Sequence, residues 1–196
     1  MGKATLVKVA FLLNEFVNLR TISKLLGFSP STGTGHPRTK SPRIKMAASP
    51  LVYLDIDGVI VTDRSTKLGG AGYIPPGSAA MVVDILDQTG ARLVVASTWR
   101  RDADCRDKLA KAGIGQDRYF IDWRTPDLLP EEEIADVPIR GSEIDRHLQR
   151  HRPARYVIID DDPGMLPHQK HFHIQVDPSI GLTWTDAETA IALLRG

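Results

Sequence analysis

The sequence has almost no cysteine. Cys105 is the single one in 196 residues. That excludes an internal disulfide framework and points to a reducing compartment, taken here as the cytoplasm. Asp104 and Arg106 give this thiol a polar setting, which fits an incidental cysteine better than a nucleophile. No apolar run reaches the length that crosses a bilayer, so no membrane partner is expected. Acidic residues are nearly missing from 1–49. That stretch holds eight Lys or Arg against Glu15 alone, a net +7, and the remainder holds 17 basic and 23 acidic residues, a net −6. The two parts read as different kinds of sequence.

Within 1–49, Leu6, Val9, Ala10, Leu13, Phe16, Val17 and Leu25 recur at helical spacing, so 4–28 is read as one amphipathic helix or two short ones. Residues 29–50 are rich in Ser, Thr, Gly, Pro and Lys and read as a flexible linker. Three readings compete for this extension: a basic arm for nucleic acid or a protein partner, an acidic-poor targeting segment, or upstream sequence outside the native protein. The last is preferred, with Met46 as the true start, because Met46-Ala-Ala-Ser-Pro leads straight into a strand. Asn14-Glu15 interrupts the early apolar stretch and weakens a secretory reading. Residues 50–196 are expected to form the folded domain.

What the chain does have is Leu51-Val-Tyr-Leu-Asp55-Ile-Asp57-Gly58-Val-Ile60. An apolar run with β-branched and aromatic residues reads as a buried strand. Such a strand has no internal use for carboxylates, because unpaired charge is costly to desolvate. The aspartates are therefore expected at its C-terminal edge, where open α/β sheets bind ligands. Gly58 lets the backbone turn and lets another group approach closely. A calcium loop needs Gly at its sixth position and Glu at its twelfth. Counted from Asp55, those positions hold Ile60 and Thr66, so that reading is discarded.

The periodicity predicts a Gly- and Pro-rich loop over 61–76 and a helix over 77–89 that ends at Thr89-Gly90. Leu93-Val-Val-Ala96 reads as a second buried strand, ending in Ser97-Thr98-Trp99-Arg100. A helix over 101–112, a short strand at 119–121 and a loop over 122–138 follow. A helix from Arg140 to about 151 then leads into the strand Tyr156-Val-Ile-Ile159, which ends in Asp160-Asp161-Asp162. Residues 173–176 read as a further strand. Thr185 is expected to cap a final helix over 186–195.

Three strands thus end in polar clusters: Asp55/Asp57, Ser97/Thr98 and the Asp160–Asp162 triplet. In a parallel sheet these ends share one edge. Carboxylates gathered there repel one another without a cation, and a few hard oxygen ligands suit Mg²⁺. Beside a metal and a phosphate, one carboxylate can attack phosphorus and a second can act as acid and base. A hydroxyl and a cation would hold the phosphoryl oxygens. His168, His171 and His173 match no strong zinc template.

These residues resemble the haloacid dehalogenase (HAD) superfamily of phosphohydrolases. Its first motif is matched by Asp55-Ile-Asp57-Gly58-Val59, its second by Val94-Val95-Ala96-Ser97 and its fourth by Val157-Ile158-Ile159-Asp160-Asp161. Its third is a basic residue at the start of a helix, and Arg140 stands there, with Arg146 and Arg100 as alternatives. Ser97-Thr-Trp-Arg100, Arg140-Gly-Ser-Glu-Ile144, the Asp160–Asp162 triplet and Gly181-Leu-Thr183 are similar to the small HAD domains grouped with Swiss Army Knife RNA repair proteins.

The resemblance implies a three-layer, Rossmann-like α/β fold with a mostly parallel sheet, and the short spacing between motifs implies little or no cap. It implies that Asp55 is the nucleophile and a metal ligand. Asp57 would be the acid/base and would bind metal through its carbonyl. Ser97 would bind the phosphoryl group, with Gly58, Thr98 and Arg100 at the substrate and Arg140 as the third-motif cation. Asp161, then Asp160, would complete the Mg²⁺ site, while Asp162 caps a turn. A dehalogenase needs no acid at position 57, so Asp57 favours a phosphatase. The expected reaction is Mg²⁺-dependent hydrolysis of a phosphomonoester, on a polynucleotide end or on a small metabolite. The rival class is a non-catalytic HAD-like module that binds nucleic acid or a partner through the basic arm.

Overall fold

The computed structural model describes residues 49–133 and 135–196. The helix, linker and start site read within 1–48 lie outside the described residues.

Five strands form one sheet: β1 (Leu51–Leu54), β2 (Arg92–Val95), β3 (Tyr119–Arg124), β4 (Tyr156–Asp160) and β5 (His173–Gln175). Their spatial order is β3-β2-β1-β4-β5 and every pairing is parallel. β1 sits at the centre and is buried on both faces, which explains its unbroken apolar sequence. Its residues alternate between two cores. Val52 and Leu54 join a large core with Ile85, Leu86, Leu109, Ile191 and Leu194. Leu51 and Tyr53 join a smaller one with Ile144, Ile158 and Met165. Helices therefore cover both faces, and the architecture is the expected three-layer α/β fold.

Among the described residues five α-helices flank the sheet: α1 (Asp63–Gly69), α2 (Pro76–Thr89), α3 (Cys105–Lys111), α4 (Ile139–His151) and α5 (Trp184–Arg195). α2 starts with proline in its first turn and ends where Gly90 adopts φ +66°. Trp99 and the two arginines after it form a 3₁₀ turn over Thr98–Arg101, so α3 begins later than periodicity suggests. α5 begins two residues earlier than expected. Its cap is Thr183, which exchanges hydrogen bonds with Asp186, not Thr185.

Two further differences concern the ligand edge. The loop expected over 61–76 contains α1, held by a reciprocal cap between Thr62 and Ser65. Its only large apolar residue, Leu68, is exposed, so no periodicity announced it. β3 runs three residues beyond the expected 119–121. Its register against β2 jumps from Leu93↔Tyr119 to Val95↔Arg124, a bulge that pushes Ile121 into solvent. Among the described residues no separate cap domain stands over the sheet edge.

Candidate active site

Register builds the site. Leu54 pairs with Val95 on one side and Ile159 on the other, so the next residues, Asp55, Ala96 and Asp160, stand level at the C-terminal edge of the sheet. The Asp55 amide donates to the Ile159 carbonyl at 3.0 Å, and the Ala96 amide to the Leu54 carbonyl at 2.8 Å. Asp55, Asp160 and Asp161 each bring a carboxylate oxygen within 4.8 Å of the others. Asp55 and Asp160 are buried, 5% and 1% exposed.

Arg140 lies between them. Its Nη2 donates to Asp55 Oδ1 at 3.3 Å, and its Nε stands 3.3 Å from Asp160 Oδ2. The second contact is an ion pair without hydrogen-bond alignment, which leaves Asp160 Oδ2 buried without a hydrogen-bond partner; Arg140 Nη1 is buried and unpartnered as well. Asp160 Oδ1 accepts from the Asp162 amide at 3.0 Å. Arg140 can stand here because Gly141 packs against the loop after β4. A Cβ on Gly141 would lie 2.8 Å from the Leu166 amide nitrogen. The other cations considered for this role are engaged elsewhere: Arg146 pairs with Glu132 at 2.6 Å, and Arg100 with Glu143 at 2.6 Å.

The electrostatics match this crowding. Burial pushes the Asp55 carboxyl up to about 6, against the opposing pull of Arg140. Burial and then the Asp55 charge push Asp160 up to about 7, again with Arg140 opposing. An all-oxygen donor set with an orphaned buried carboxylate oxygen fits a hard divalent cation, and these three residues are the ones that could hold it.

A pocket of about 560 Å³ opens over this group, lined by Asp55, Asp57, Gly58, Thr98, Arg140 and Asp161 among others. Gly58 has φ +79°, and a Cβ there would lie 2.6 Å from Asp161 Cγ. The group expected to approach this glycine is therefore the Asp161 carboxylate. Asp57 is exposed at the pocket, and Trp99 donates its indole N–H to Asp57 Oδ2 at 2.9 Å. Ser97 precedes Thr98 but is not itself in the pocket lining; it is 1% exposed, with its Oγ unpartnered. Asp162 is exposed and its Oδ1 accepts from the Gly164 amide at 2.7 Å, a turn cap as read.

Arg100 is not brought to this pocket. It is 3% exposed, and two carboxylates, Glu143 and Asp127, hold its Nη2, each at 2.6 Å. A buried guanidinium needs such partners, and here they turn it away from Asp55. Sequence reasoning missed Thr62, Asp63, Thr66, Pro178 and Ser179, which also line the pocket. The spacing Thr62-x-x-Ser65 was the one signal available for the first three. Cys105 is fully buried and burial raises its thiol to about 11, so it is inert. The three histidines weighed for zinc form no shared cluster among the described residues. His147 and His151 do meet Asp122, but His147 spends both ring nitrogens on the Tyr53 hydroxyl and the Asp122 carbonyl.

Neither a curated protein nor a solved structure matches the chain. A family model does, described as the HAD domain in Swiss Army Knife RNA repair proteins, and the match runs over residues 51–187. That span takes in β1 through the first turn of α5, with every residue of the carboxylate pocket inside it. The chain belongs to this family of HAD domains.

Proposed function

We propose that this protein is a Mg²⁺-dependent phosphomonoesterase that works through a phospho-Asp55 intermediate and acts on phosphorylated nucleic-acid ends. Family membership supports the coarser statement, a hydrolase of the phosphatase type. The observation that carries the finer reading is the convergence of Asp55, Asp160 and Asp161 within 4.8 Å beside Arg140. In this reading residues 50–196 are the hydrolase domain and the basic 1–49 stretch is an extension outside it. The single buried cysteine fits the cytoplasm, and no helix among the described residues is long and apolar enough to cross a membrane.

Asp55, Asp160 and Asp161, with the Asp57 carbonyl, would hold the ion. When bound, Mg²⁺ offsets the carboxylate charge and draws electron density from the phosphoryl oxygens. The Asp55 carboxylate attacks phosphorus as the bond to the leaving oxygen breaks. Asp57 gives its proton to that oxygen. It then takes a proton from water as the water attacks phospho-Asp55, which releases inorganic phosphate and restores both aspartates. The Trp99 N–H donates to Asp57 Oδ2 and orients this carboxyl group. The Ser97 hydroxyl, Arg140 and Thr98 steady the phosphoryl oxygens as charge builds.

The test is phosphate release from a generic aryl phosphate with and without Mg²⁺, by the wild type and by Asp55→Asn. Activity that needs Mg²⁺ and Asp55 is expected. Equal activity in the variant would reject the nucleophile. A panel of end-phosphorylated oligonucleotides and small phosphate esters would then rank substrates, and turnover of small esters alone would remove the nucleic-acid reading.

A further inference from the structure

Beside the carboxylate pocket lies a second cleft of about 460 Å³. Four arginines line it, Arg100, Arg101, Arg124 and Arg150, against two aspartates, Asp122 and Asp127. The lining is therefore net cationic, and its charges are unevenly neutralised. Arg100 and Arg101 share Asp127. Arg124 is exposed and has no carboxylate partner among the described residues; its guanidinium rests 5.5 Å from the Trp123 ring centre. Arg150 is 61% exposed and reaches Asp122 at 3.3 Å, a carboxylate that His151 already holds at 2.8 Å. Thr125, also in the lining, is 1% exposed and its hydroxyl has no partner.

This cleft shares the ligand edge of the sheet with Asp55, since Arg124 ends β3 and the Thr125 amide donates to the Val95 carbonyl at 3.1 Å. A narrower passage joins the two. Thr98 and Arg140 line both the passage and the carboxylate pocket, while Arg100 and Arg101 line both the passage and the arginine cleft. One trough thus runs from the carboxylates to the exposed side chains of Arg124 and Arg150.

We propose that the arginine cleft is a phosphodiester subsite, which takes an internal phosphate of a single-stranded polynucleotide whose terminal phosphate lies at Asp55. The inference rests on the phosphomonoesterase reading for the chemistry of the reacting end. A small monoester fills one anion site and leaves the second empty. A polynucleotide carries regularly spaced phosphates and can satisfy both. Guanidiniums suit this role because their planar donors match phosphate oxygens in pairs. A flexible single strand can follow such a trough with its backbone phosphates against the guanidiniums.

The test is fluorescence anisotropy of the full chain with hydroxyl-ended single strands of RNA and DNA about ten nucleotides long, which offer internal phosphates and nothing to hydrolyse. Arg124→Gln/Arg150→Gln is expected to weaken binding about ten-fold or more at fixed salt. It should also lower the slope of log affinity against log salt by about 1 to 2. Arg155→Gln, at the opposite edge of the sheet before β4, is the control and should bind as the wild type does. The basic 1–49 stretch is common to all three proteins and cancels. Should the double variant melt early, Arg124→Gln alone carries the test, because that side chain makes no ion pair. Unchanged affinity and slope overturn the proposal, as does a loss no greater than that of Arg155→Gln. Aryl phosphate hydrolysis by the wild type reports the enzyme reading separately. Its absence with arginine-dependent strand binding sinks that reading and keeps the subsite; its presence with arginine-independent binding sinks the subsite alone.

Discussion

The indole N–H of Trp99 donates to Oδ2 of Asp57 at 2.9 Å, across 42 residues of sequence. Trp99 stands in the 3₁₀ turn after β2, so the segment that follows β2 orients the Asp57 carboxylate. One hydrogen bond of this kind contributes on the order of 1 kcal/mol. Trp99→Phe keeps the ring and removes the donor. It is expected to lower kcat by roughly ten-fold, with KM for an aryl phosphate nearly unchanged. An unaltered kcat would mean that the contact is packing alone.

Gly58 joins the first and fourth motifs by what it lacks. Gly58→Ala would set a methyl 2.6 Å from Asp161 Cγ at a φ of +79°. Asp161 must then move out of the carboxylate triad. The wild type should gain stability with Mg²⁺, about 2.7 kcal/mol at a hundred-fold excess over Kd, read as a higher melting temperature. That gain is expected to disappear in Gly58→Ala and in Asp161→Asn. Differential scanning fluorimetry with and without chelator reads it directly, and a full Mg²⁺ shift in both variants would rule out Asp161 as a ligand.

The pair Arg100–Glu143 is nearly sealed, with side chains 3% and 6% exposed. Arg100 also donates from Nη1 to the Ser97 carbonyl at 2.9 Å, which steadies the loop that carries Ser97 and Thr98. Arg100→Met leaves the Glu143 carboxylate buried without its partner and should cost about 3–5 kcal/mol in denaturant unfolding. Arg100→Met/Glu143→Leu should recover much of that loss. A loss below about 1 kcal/mol for the single variant would place Arg100 among exposed, weakly coupled pairs.

Much of the candidate site was legible because its residues end apolar strands. Asp55, Ser97 and Asp160 each follow a run that burial makes unmistakable, and parallel register does the rest. Arg140 was legible by its place before a helix. What stayed hidden depended on partners remote in sequence. Arg100 reads as a cation beside a phosphate site until Glu143, 43 residues away, is seen to hold it. α1 was hidden because a seven-residue helix fixed by its cap needs no apolar stripe. The bulge in β3 was hidden because Trp123 and Arg124 carry no period-2 pattern. Yet that bulge delivers Arg124 to the trough.

His147 is buried against Tyr53, with Nδ1 2.8 Å from the tyrosine hydroxyl and Nε2 2.9 Å from the Asp122 carbonyl. Burial is the main cause that holds its pKa below the usual histidine value. An unfolded His gains a proton near pH 6.5 while the folded one stays neutral, so this contribution is whole above about pH 7 and is lost as pH falls through 6.5. Asp55 and Asp160 titrate nearby, so the comparison is with His147→Gln at each pH. The stability gap between wild type and variant should be largest near pH 7.5 and shrink towards pH 5.5. A gap independent of pH would show that His147 is not held neutral.

Mass spectrometry of acid-quenched enzyme during turnover reads the proposed covalent bond between Asp55 and phosphorus. A phosphoryl adduct is expected on the peptide that carries Asp55, present with substrate and Mg²⁺ and absent from Asp55→Asn, whose phosphate release is also lost. Steady phosphate release with no adduct on that peptide, or undiminished release by Asp55→Asn, would contradict the account.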